Sequence, residues 1–183
     1  MSRDTPGDPA RAHPPRWLSP AEQEAWLPLA GLMLRLPAAL DAQIQRDAGL
    51  SHFEYMVLSA LSGAPQHTLR MSDLAGLANG SLSRLSHVVS RLERRGWVHR
   101  RPCPGDGRYT NAILTGAGMA VLVAAAPGHV ARVRALVIDA LSPAQLRQLR
   151  DIGRAILDRV DAGTAAVPAS RRVPEHSSSE QKN

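Results

Sequence analysis

The chain contains very little cysteine, lysine or aromatic residue. Among its 183 residues, Cys103 is the only cysteine and Lys182 the only lysine, and Phe, Trp and Tyr together make up 3%. A single cysteine excludes an intramolecular disulfide and agrees with a reducing compartment. No apolar run approaches the roughly 18 residues that a membrane-spanning helix needs, and residues 1–16 lack the apolar core of a signal peptide. We therefore expect a cytoplasmic protein.

Motifs typical of enzymes and metal sites are also missing. The seven histidines show no metal-ligand spacing with one another or with Cys103. There is no glycine-rich phosphate loop and no nucleophile elbow. We expect no metal, no cofactor and no enzymatic activity.

Positive charge is abundant, and it is carried almost entirely by arginine. The net charge is +6 and the sequence pI is about 10.8, values that favour a polyanionic partner. The length fits one domain with a proper core.

Residues 81–96, SLSRLSHVVSRLERRG, predict an amphipathic helix. Ser81 suits the N-cap and Gly96 suits the helix stop. One arc is apolar and is expected in the core: Leu82, Leu85, Val88, Val89 and Leu92. The opposite side carries hydroxyls and cations: Ser83, Arg84, His87, Ser90, Arg91 and Arg94. Short polar side chains and arginines on a rigid helix can reach base edges in the major groove, so this segment is a candidate recognition helix.

A basic hairpin is predicted directly after this helix. Residues 97–102 and 109–114 read as strands, and residues 103–108, CPGDGR, supply the proline and glycines of a tip. Its cations Arg100, Arg101 and Arg108 face a single acid, Asp106. Residues 71–78 predict a short support helix, and residues 67–70 a small additional strand. The expected fold is mainly α with a small β wing, a winged helix-turn-helix.

Long helices are predicted on both sides of this unit. Capping signals place helix starts at Ser19, with Pro20 and Glu22, and at Ser51, with Glu54. Pro28 and Pro37 predict a kink or break in the first helix. The remaining segments are a helix at 51–62, a helix at 116–140 capped by Thr115 and bent at Pro127, a helix from Ser142 to Asp161 with Pro143 and Gln145 at its start, and disordered tails at 1–18 and 163–183.

The ordered motifs resemble the MarR family of bacterial transcriptional regulators. The resemblance rests on the SxLA motif at Ser72–Ala75, RLExxG at Arg91–Gly96, DxR at Asp106–Arg108 and LTxxG at Leu114–Gly118. It extends over about residues 20–162. It implies a DNA-binding lobe at about 50–115 within a domain spanning 19–162. The apolar helices of 19–48 and 116–162 either cover each other or interlock with a second copy, and the resemblance implies the second, a homodimer.

The expected function is a repressor that acts on double-stranded DNA and is released by a small ligand. Two-fold symmetry predicts an inverted-repeat operator with half-sites about 34 to 36 Å apart. In the resembled family, anionic aromatic ligands bind between the dimerisation helices and the winged lobe. Met33, Leu36, His52 and Met56 are the candidates for lining such a cleft, although the three apolar ones also suit an ordinary core.

Each candidate DNA contact has a distinct expected role. Arg84 and His87 are the first candidates for base contacts, with Ser83 and Ser86 next and Ser81 at the start of the helix. Arg91 and Arg94 are expected to meet phosphate. The resemblance implies that Arg108 reaches the minor groove or the flanking backbone, and Asp106 is expected to orient an arginine.

Two other interpretations remain open at this stage. In the first, the chain is a helical dimer whose winged domain binds a protein partner, and its basic surface has no function. In the second, it binds DNA and is regulated through Cys103 and not by a ligand. Arg100 and Arg101 near Cys103 favour a reactive thiolate. In the resembled family, however, the sensing cysteine belongs near the first helix, where this chain has none.

Overall fold

A computed structural model describes residues 15–77, 81–104 and 106–165. The predicted disordered tails lie mostly outside these residues, as does Ala78, the last residue of the predicted support helix. Within the described ranges the chain forms, in order, α1 Pro20–Ala48, α2 His52–Gly63, β1 Thr68–Arg70, α3 Met71–Leu77, α4 Leu82–Arg94, β2 Val98–Cys103, β3 Asp106–Leu114, α5 Gly116–Val133 and α6 Pro143–Ala165. The predicted winged helix-turn-helix is confirmed.

Helix starts coincide with the predicted caps. Ser19 and Ser51 each accept a hydrogen bond from the amide three residues on, and Glu22 and Glu54 each accept one from the cap's own amide. The helix α1, in contrast, runs unbroken for 29 residues through Pro28 and Pro37, so the expected break is wrong. Both prolines are exposed, and water can therefore satisfy the carbonyl groups that they leave without a partner.

The sheet has three antiparallel strands in the order β1-β3-β2. The predicted small strand is confirmed, with Thr68 opposite Ile113. The hairpin tip is shorter than predicted, because Cys103 pairs with Asp106 and only two residues lie between them. The register shifts between Pro102 and Cys103, where proline has no amide hydrogen to donate to the ladder. The wing, defined here as residues 98–114, is thus almost wholly strand.

One hydrophobic core fills the winged helix-turn-helix. Most of its fully buried side chains come from α2, α3, α4 and the sheet, among them Leu58, Leu61, Leu74, Val98 and Ala112, and Ile44 of α1 and Leu50 join them. Four of the five apolar residues predicted to face the core from α4 do so: Leu85, Val88, Val89 and Leu92. The fifth prediction is wrong, because Leu82 is 54% exposed. Leu82 lies at the edge of the apolar arc and is the first residue of the helix, so no preceding turn covers it.

The candidate recognition helix α4 ends at Arg94, and Gly96 provides the predicted stop two residues later. Gly96 adopts a φ of 72°, the left-handed conformation that glycine tolerates best. The amides of Gly96 and Trp97 donate to the carbonyls of Glu93 and Leu92 at 2.9 and 3.0 Å, the two bonds of a Schellman motif. The end of α4 is therefore well defined, and β2 starts directly after it.

The structure divides into two compact units, one ending at Val133 and the other starting at Arg134. In the first unit α5 packs against α1 and α2. Pro127 lies inside α5 without interrupting it, and the irregularity comes later, as a π-helical turn over Arg134–Ile138. In the second unit α6 begins at the predicted cap, with the Ser142 amide bonded to Gln145 Oε1 at 2.9 Å.

Gly116–Ile138 is long and apolar enough to cross a membrane by length and composition alone. This corrects the expectation that no apolar segment reaches such a length. Arg132 and Arg134 interrupt the apolar run near its end. Core helices of soluble proteins reach the same length and composition.

Candidate nucleic-acid interface

The side of α4 that faces away from the core is polar and exposed, as predicted. Ser81 Oγ accepts a hydrogen bond from the Arg84 amide at 3.2 Å and so caps the helix. Ser83, Arg84, His87, Arg91 and Arg94 are exposed, while Ser86 and Ser90 are half-buried. The structure therefore brings the candidate base and phosphate contacts together on one surface.

Arg84 is supported by an aromatic ring of α2. Its guanidinium carbon lies 4.5 Å from the centroid of the Phe53 ring. A cation over the face of an aromatic ring is attracted to it and restrained there. The first candidate base contact is thus held by a residue 31 positions earlier in the chain.

Arg91 is paired with a buried carboxylate of α2. Its Nε donates to Glu54 Oε1 at 3.0 Å, and Glu54 is only 5% exposed. Burial alone would raise the pKa of Glu54, but hydrogen bonds from the Ser51 amide, Arg91 and the Ser51 hydroxyl together place the pKa below its ordinary value of 4.5. The Arg91 side chain stays 47% exposed. Arg91 therefore fixes α4 to α2, and its phosphate contact stays a prediction.

The wing presents Arg108 on a carboxylate support. Arg108 Nε and Nη2 donate to Asp106 Oδ1 and Oδ2 at 3.0 and 2.9 Å, and the Arg108 side chain is 86% exposed. Hydrogen bonding by Arg108 lowers the pKa of Asp106, and the same bonds raise the pKa of Arg108. Asp106 thus orients Arg108, which extends into solvent.

Arg100, another of the wing cations, is engaged within the protein. Its Nη2 lies 2.7 Å from Glu93 Oε2, and its amide donates to Glu93 Oε1 at 3.0 Å. The hydrogen bonds from Arg100 lower the pKa of Glu93. This pair ties the start of the wing to the last turn of α4. The wing is consequently less positive than its sequence indicates.

A crevice of about 340 Å³ lies between the wing, the start of α3 and α4. Its wall combines Arg108 and Ser86 with residues that sequence reasoning did not select: Arg70, Met71, Ser72, Leu82, Arg100, Tyr109 and Thr110. Arg70 lies over the Tyr109 ring at 5.0 Å. Arg70 ends the small strand β1, and its position beside the wing depends on strand pairing that the sequence does not specify. Three arginines therefore line the crevice, and two of them are paired with carboxylates.

A larger cleft of about 1150 Å³ lies between α1, α2 and α4. Of the predicted ligand-contacting residues, His52 and Met56 line it, together with Arg84, His87 and Arg91. Met33 and Leu36 are not among the residues that line this cleft, so their predicted contact with a ligand stays a prediction. Met33 is 52% exposed, and α1 contributes instead Pro37, Ala38 and Asp41, which lie further along the helix.

Two histidines and a tyrosine form a cluster between α2 and α5. The His129 ring lies 4.4 Å from Tyr55 and 5.5 Å from His52, measured between centroids, and His129 Nδ1 is buried without a hydrogen-bond partner. Burial lowers the pKa of His129, and the neighbouring His52 lowers it further. Burial also lowers the pKa of His52, against an opposing effect of Asp41. Both rings are therefore harder to protonate in the folded protein.

This cluster predicts acid-dependent stability. Because both pKa values lie below the ordinary 6.5, the unfolded chain binds protons first, and the free energy of unfolding should fall as pH drops below about 6.5. Above about pH 7 the effect should vanish. Urea titrations between pH 7.5 and pH 5.5 measure how the free energy of unfolding depends on pH. This range, about two pH units wide, lies above the pH at which ordinary carboxylates titrate. His129→Phe should flatten it, and an unchanged slope would contradict the assignment.

Cys103 and the histidines of the described ranges are not grouped as a metal site. Across the described ranges no group of three His, Cys, Asp or Glu side chains is placed to hold a metal ion. Cys103 is half-buried at the wing tip, with its Sγ 3.7 Å from the Pro104 carbonyl oxygen. Its proposed redox role stays a prediction.

Comparisons with known proteins agree on one family. A family model described as MarR family matches residues 50–110. The transcriptional repressor MprA of Escherichia coli strain K12 is 29% identical over 113 residues, which cover 62% of this chain and 64% of MprA. The chain thus spans a little under two thirds of the length of that relative. The HTH-type transcriptional regulator PecS of Dickeya dadantii strain 3937 is 32% identical over 135 residues, 73% of this chain and 77% of PecS.

A solved structure extends this similarity to the fold. Sco3205, a MarR family transcriptional regulator from Streptomyces coelicolor, was crystallised in complex with DNA. It is 46% identical to this chain with a TM-score of 0.76, and the match covers 79% of this chain and 91% of Sco3205.

Proposed function

Because this chain belongs to the MarR family of transcriptional regulators, we propose that it is a sequence-specific DNA-binding repressor and not an enzyme. The observation that supports this most strongly is the exposed polar side of α4 beside a wing whose Arg108 is held outward by Asp106. A helix and a hairpin so arranged suit a major groove and the adjacent backbone.

The proposed contacts follow from the position of each side chain. Ser83, Arg84, Ser86 and His87 form the part of α4 that reads base edges, with Ser81 at its start. Arg94 and the exposed part of Arg91 bind phosphate, and Arg108 binds the backbone or the minor groove. The bracing of Arg84 by Phe53 and of Arg91 by Glu54 supports these roles, because a restrained side chain loses less conformational freedom when it binds.

A homodimer is proposed from the apolar surface of the long helices. On α1 and, separately, on α6, large apolar side chains are exposed: Trp26, Leu27, Leu32, Met33, Leu34, Leu149, Ile152, Ile156, Leu157 and Val160. Soluble monomers seldom expose so much apolar surface. Residues 19–48 and 116–162 are therefore proposed as dimerisation helices around a DNA-binding lobe at 50–115. The operator is then an inverted repeat with half-sites about 34 to 36 Å apart.

The cleft between α1, α2 and α4 is the proposed site of an inducing ligand. Its wall includes Arg84 and Arg91, which favour an anion, and Phe53 and Met56, which favour an aromatic group. A small anionic aromatic molecule in this cleft would compete with DNA for Arg84. Binding of the ligand and binding of the operator would then exclude each other, which is the behaviour of an inducible repressor.

Selection of bound duplexes from a random pool tests the function. An enriched inverted repeat is expected, with binding that weakens steeply as salt increases. A single enriched half-site would contradict the dimer and keep the DNA binding. Absence of enrichment, together with equally weak binding to every duplex, would favour a protein-binding helical dimer.

Arg84→Ala is expected to relax specificity at one base pair of each half-site. The loss at the preferred pair should be about 1–3 kcal/mol, since a bidentate arginine contact accounts for that much discrimination. Competition binding with duplexes altered one pair at a time measures it. Arg35→Ala, which removes a cation from exposed α1, is the control: once size-exclusion chromatography shows that it keeps the oligomeric state of the wild-type protein, it should leave the preference unchanged. An equal loss of affinity for every sequence would show that Arg84 binds phosphate.

A further inference from the structure

Leu82 is an apolar side chain on the polar surface of the recognition helix. It is 54% exposed, whereas the four other apolar residues of its arc are at most 4% exposed. Its neighbours on this side of α4 are polar: Ser83, next in the chain, is exposed, and Ser86, one turn on, is half-buried. A leucine left in water forgoes the stabilisation that burial provides. Its position is therefore better explained by a contact made when a partner binds.

The surroundings of Leu82 specify the charge of that partner. Leu82 and Ser86 line the crevice between α4 and the wing, in which Arg70, Arg100 and Arg108 supply positive charge. Arg100 is paired with Glu93 and Arg108 with Asp106, but the Arg108 side chain is 86% exposed and can reach a partner. A partner must therefore offer an apolar group to Leu82 and negative charge to the arginines. Duplex DNA offers both, because its backbone carries phosphates and its major groove carries the methyl groups of thymine.

The major groove offers an apolar group at one base only. Each base pair presents hydrogen-bond donors and acceptors there, and thymine adds its C5-methyl. Serines and arginines can satisfy the polar groups, but a leucine can contact only the methyl productively. We propose that Leu82 contacts the C5-methyl group of a thymine in each half-site and so specifies one A·T pair by apolar contact. This inference rests on the proposed DNA binding.

Substitution of deoxyuridine for thymine tests the contact atom by atom. Deoxyuridine keeps every hydrogen-bonding group of thymine and lacks only the methyl. With the enriched duplex, replacing each thymine in turn should weaken binding of the wild-type protein at one position per half-site by about fourfold, the effect of one buried methyl group. At the other thymines we expect little change.

The Leu82→Ala variant should lose this discrimination. Its affinity for the thymine duplex should fall to about that of the wild-type protein for the deoxyuridine duplex, and the two duplexes should then bind it equally. Leu82 is exposed, so the variant is expected to fold, and circular dichroism with thermal unfolding checks this. Leu77→Ala, which truncates another exposed leucine at the end of α3, is the matched control, and it should keep the preference for thymine.

Each result separates this inference from the proposed function. If the wild-type protein selects an operator but no thymine position responds to deoxyuridine, the methyl contact is wrong and the DNA binding stands. The same holds if Leu82→Ala still prefers thymine, or if it weakens all sequences equally, as a contact with the sugar backbone would. If the protein selects no operator at all, both proposals fail.

Discussion

Arg108→Ala is expected to weaken DNA binding about tenfold at every sequence tested. A hydrogen bond to a charged group contributes about 1.5–3 kcal/mol, and about 1.4 kcal/mol corresponds to a factor of ten. Arg108 is exposed and already oriented by two hydrogen bonds to Asp106. Its side chain therefore loses little conformational entropy when DNA binds. Because the contact is with the backbone or the minor groove, the preferred operator sequence should not change.

The salt dependence of binding identifies the contact as ionic. Each phosphate contact that is lost should reduce the slope of the logarithm of affinity against the logarithm of salt concentration by about one. Fluorescence anisotropy over a salt series measures both slope and affinity. Arg35→Ala, which removes the same charge from α1, serves as the control. An Arg108→Ala protein with the wild-type slope would show that the wing does not contact DNA.

Gly118→Ala is expected to destabilise the protein by about 3 kcal/mol, at the upper end of overpacking costs. Gly118 is buried in the first turn of α5. A Cβ there would lie well inside van der Waals contact of the Trp97 carbonyl oxygen and 2.8 Å from Leu114 Cδ1. The Trp97 carbonyl cannot move freely, because it accepts the Thr115 amide at 3.0 Å. The start of α5 would therefore have to shift away from the end of α4.

Gly116 provides a matched control in the same turn. A Cβ at Gly116 meets nothing within 4 Å, so Gly116→Ala should leave stability unchanged or raise it by up to about 1 kcal/mol through helix propensity. Thermal unfolding should then show a midpoint roughly 6 to 12 °C lower for Gly118→Ala and no decrease for Gly116→Ala. Equal stability of the two variants would show that the close approach to Trp97 is unimportant.

Local signals explain why much of the fold could be predicted. The helix starts at Ser19 and Ser51 depend on pairs of residues three apart, which the sequence displays directly. The wing and recognition helix follow from periodicity and turn residues. The effect of Pro28 and Pro37 could not be predicted in the same way, because a helix tolerates proline according to what surrounds it. The short wing tip depends on the register shift at Pro102, which strand propensity does not reveal.

The polar residues of the candidate site could be predicted from the sequence, but the residues that hold them in place could not. The outward direction of Arg84, His87 and Arg94 follows from helical spacing alone. The support of Arg91 by Glu54 joins residues 37 positions apart, and only tertiary packing brings them together. The exposure of Leu82 was missed because a helical arc indicates direction and not how far the neighbouring elements extend. Met33 and Leu36 are not among the residues that line the cleft of α1, α2 and α4, and their part in a ligand site stays a prediction.

Glu54 also has a consequence for how a signal can reach the DNA. This carboxylate caps α2 and at the same time binds Arg91 of α4. The helices α2 and α4 therefore cannot tilt independently without exposing the Glu54 carboxylate or breaking its ion pair. In a dimer, α2 and α4 of one protomer would move together as a rigid body. A ligand in the cleft between α1, α2 and α4 would take Arg84 from DNA directly, whereas an effector that acted only on the long helices would change the distance between the two α4 helices of a dimer.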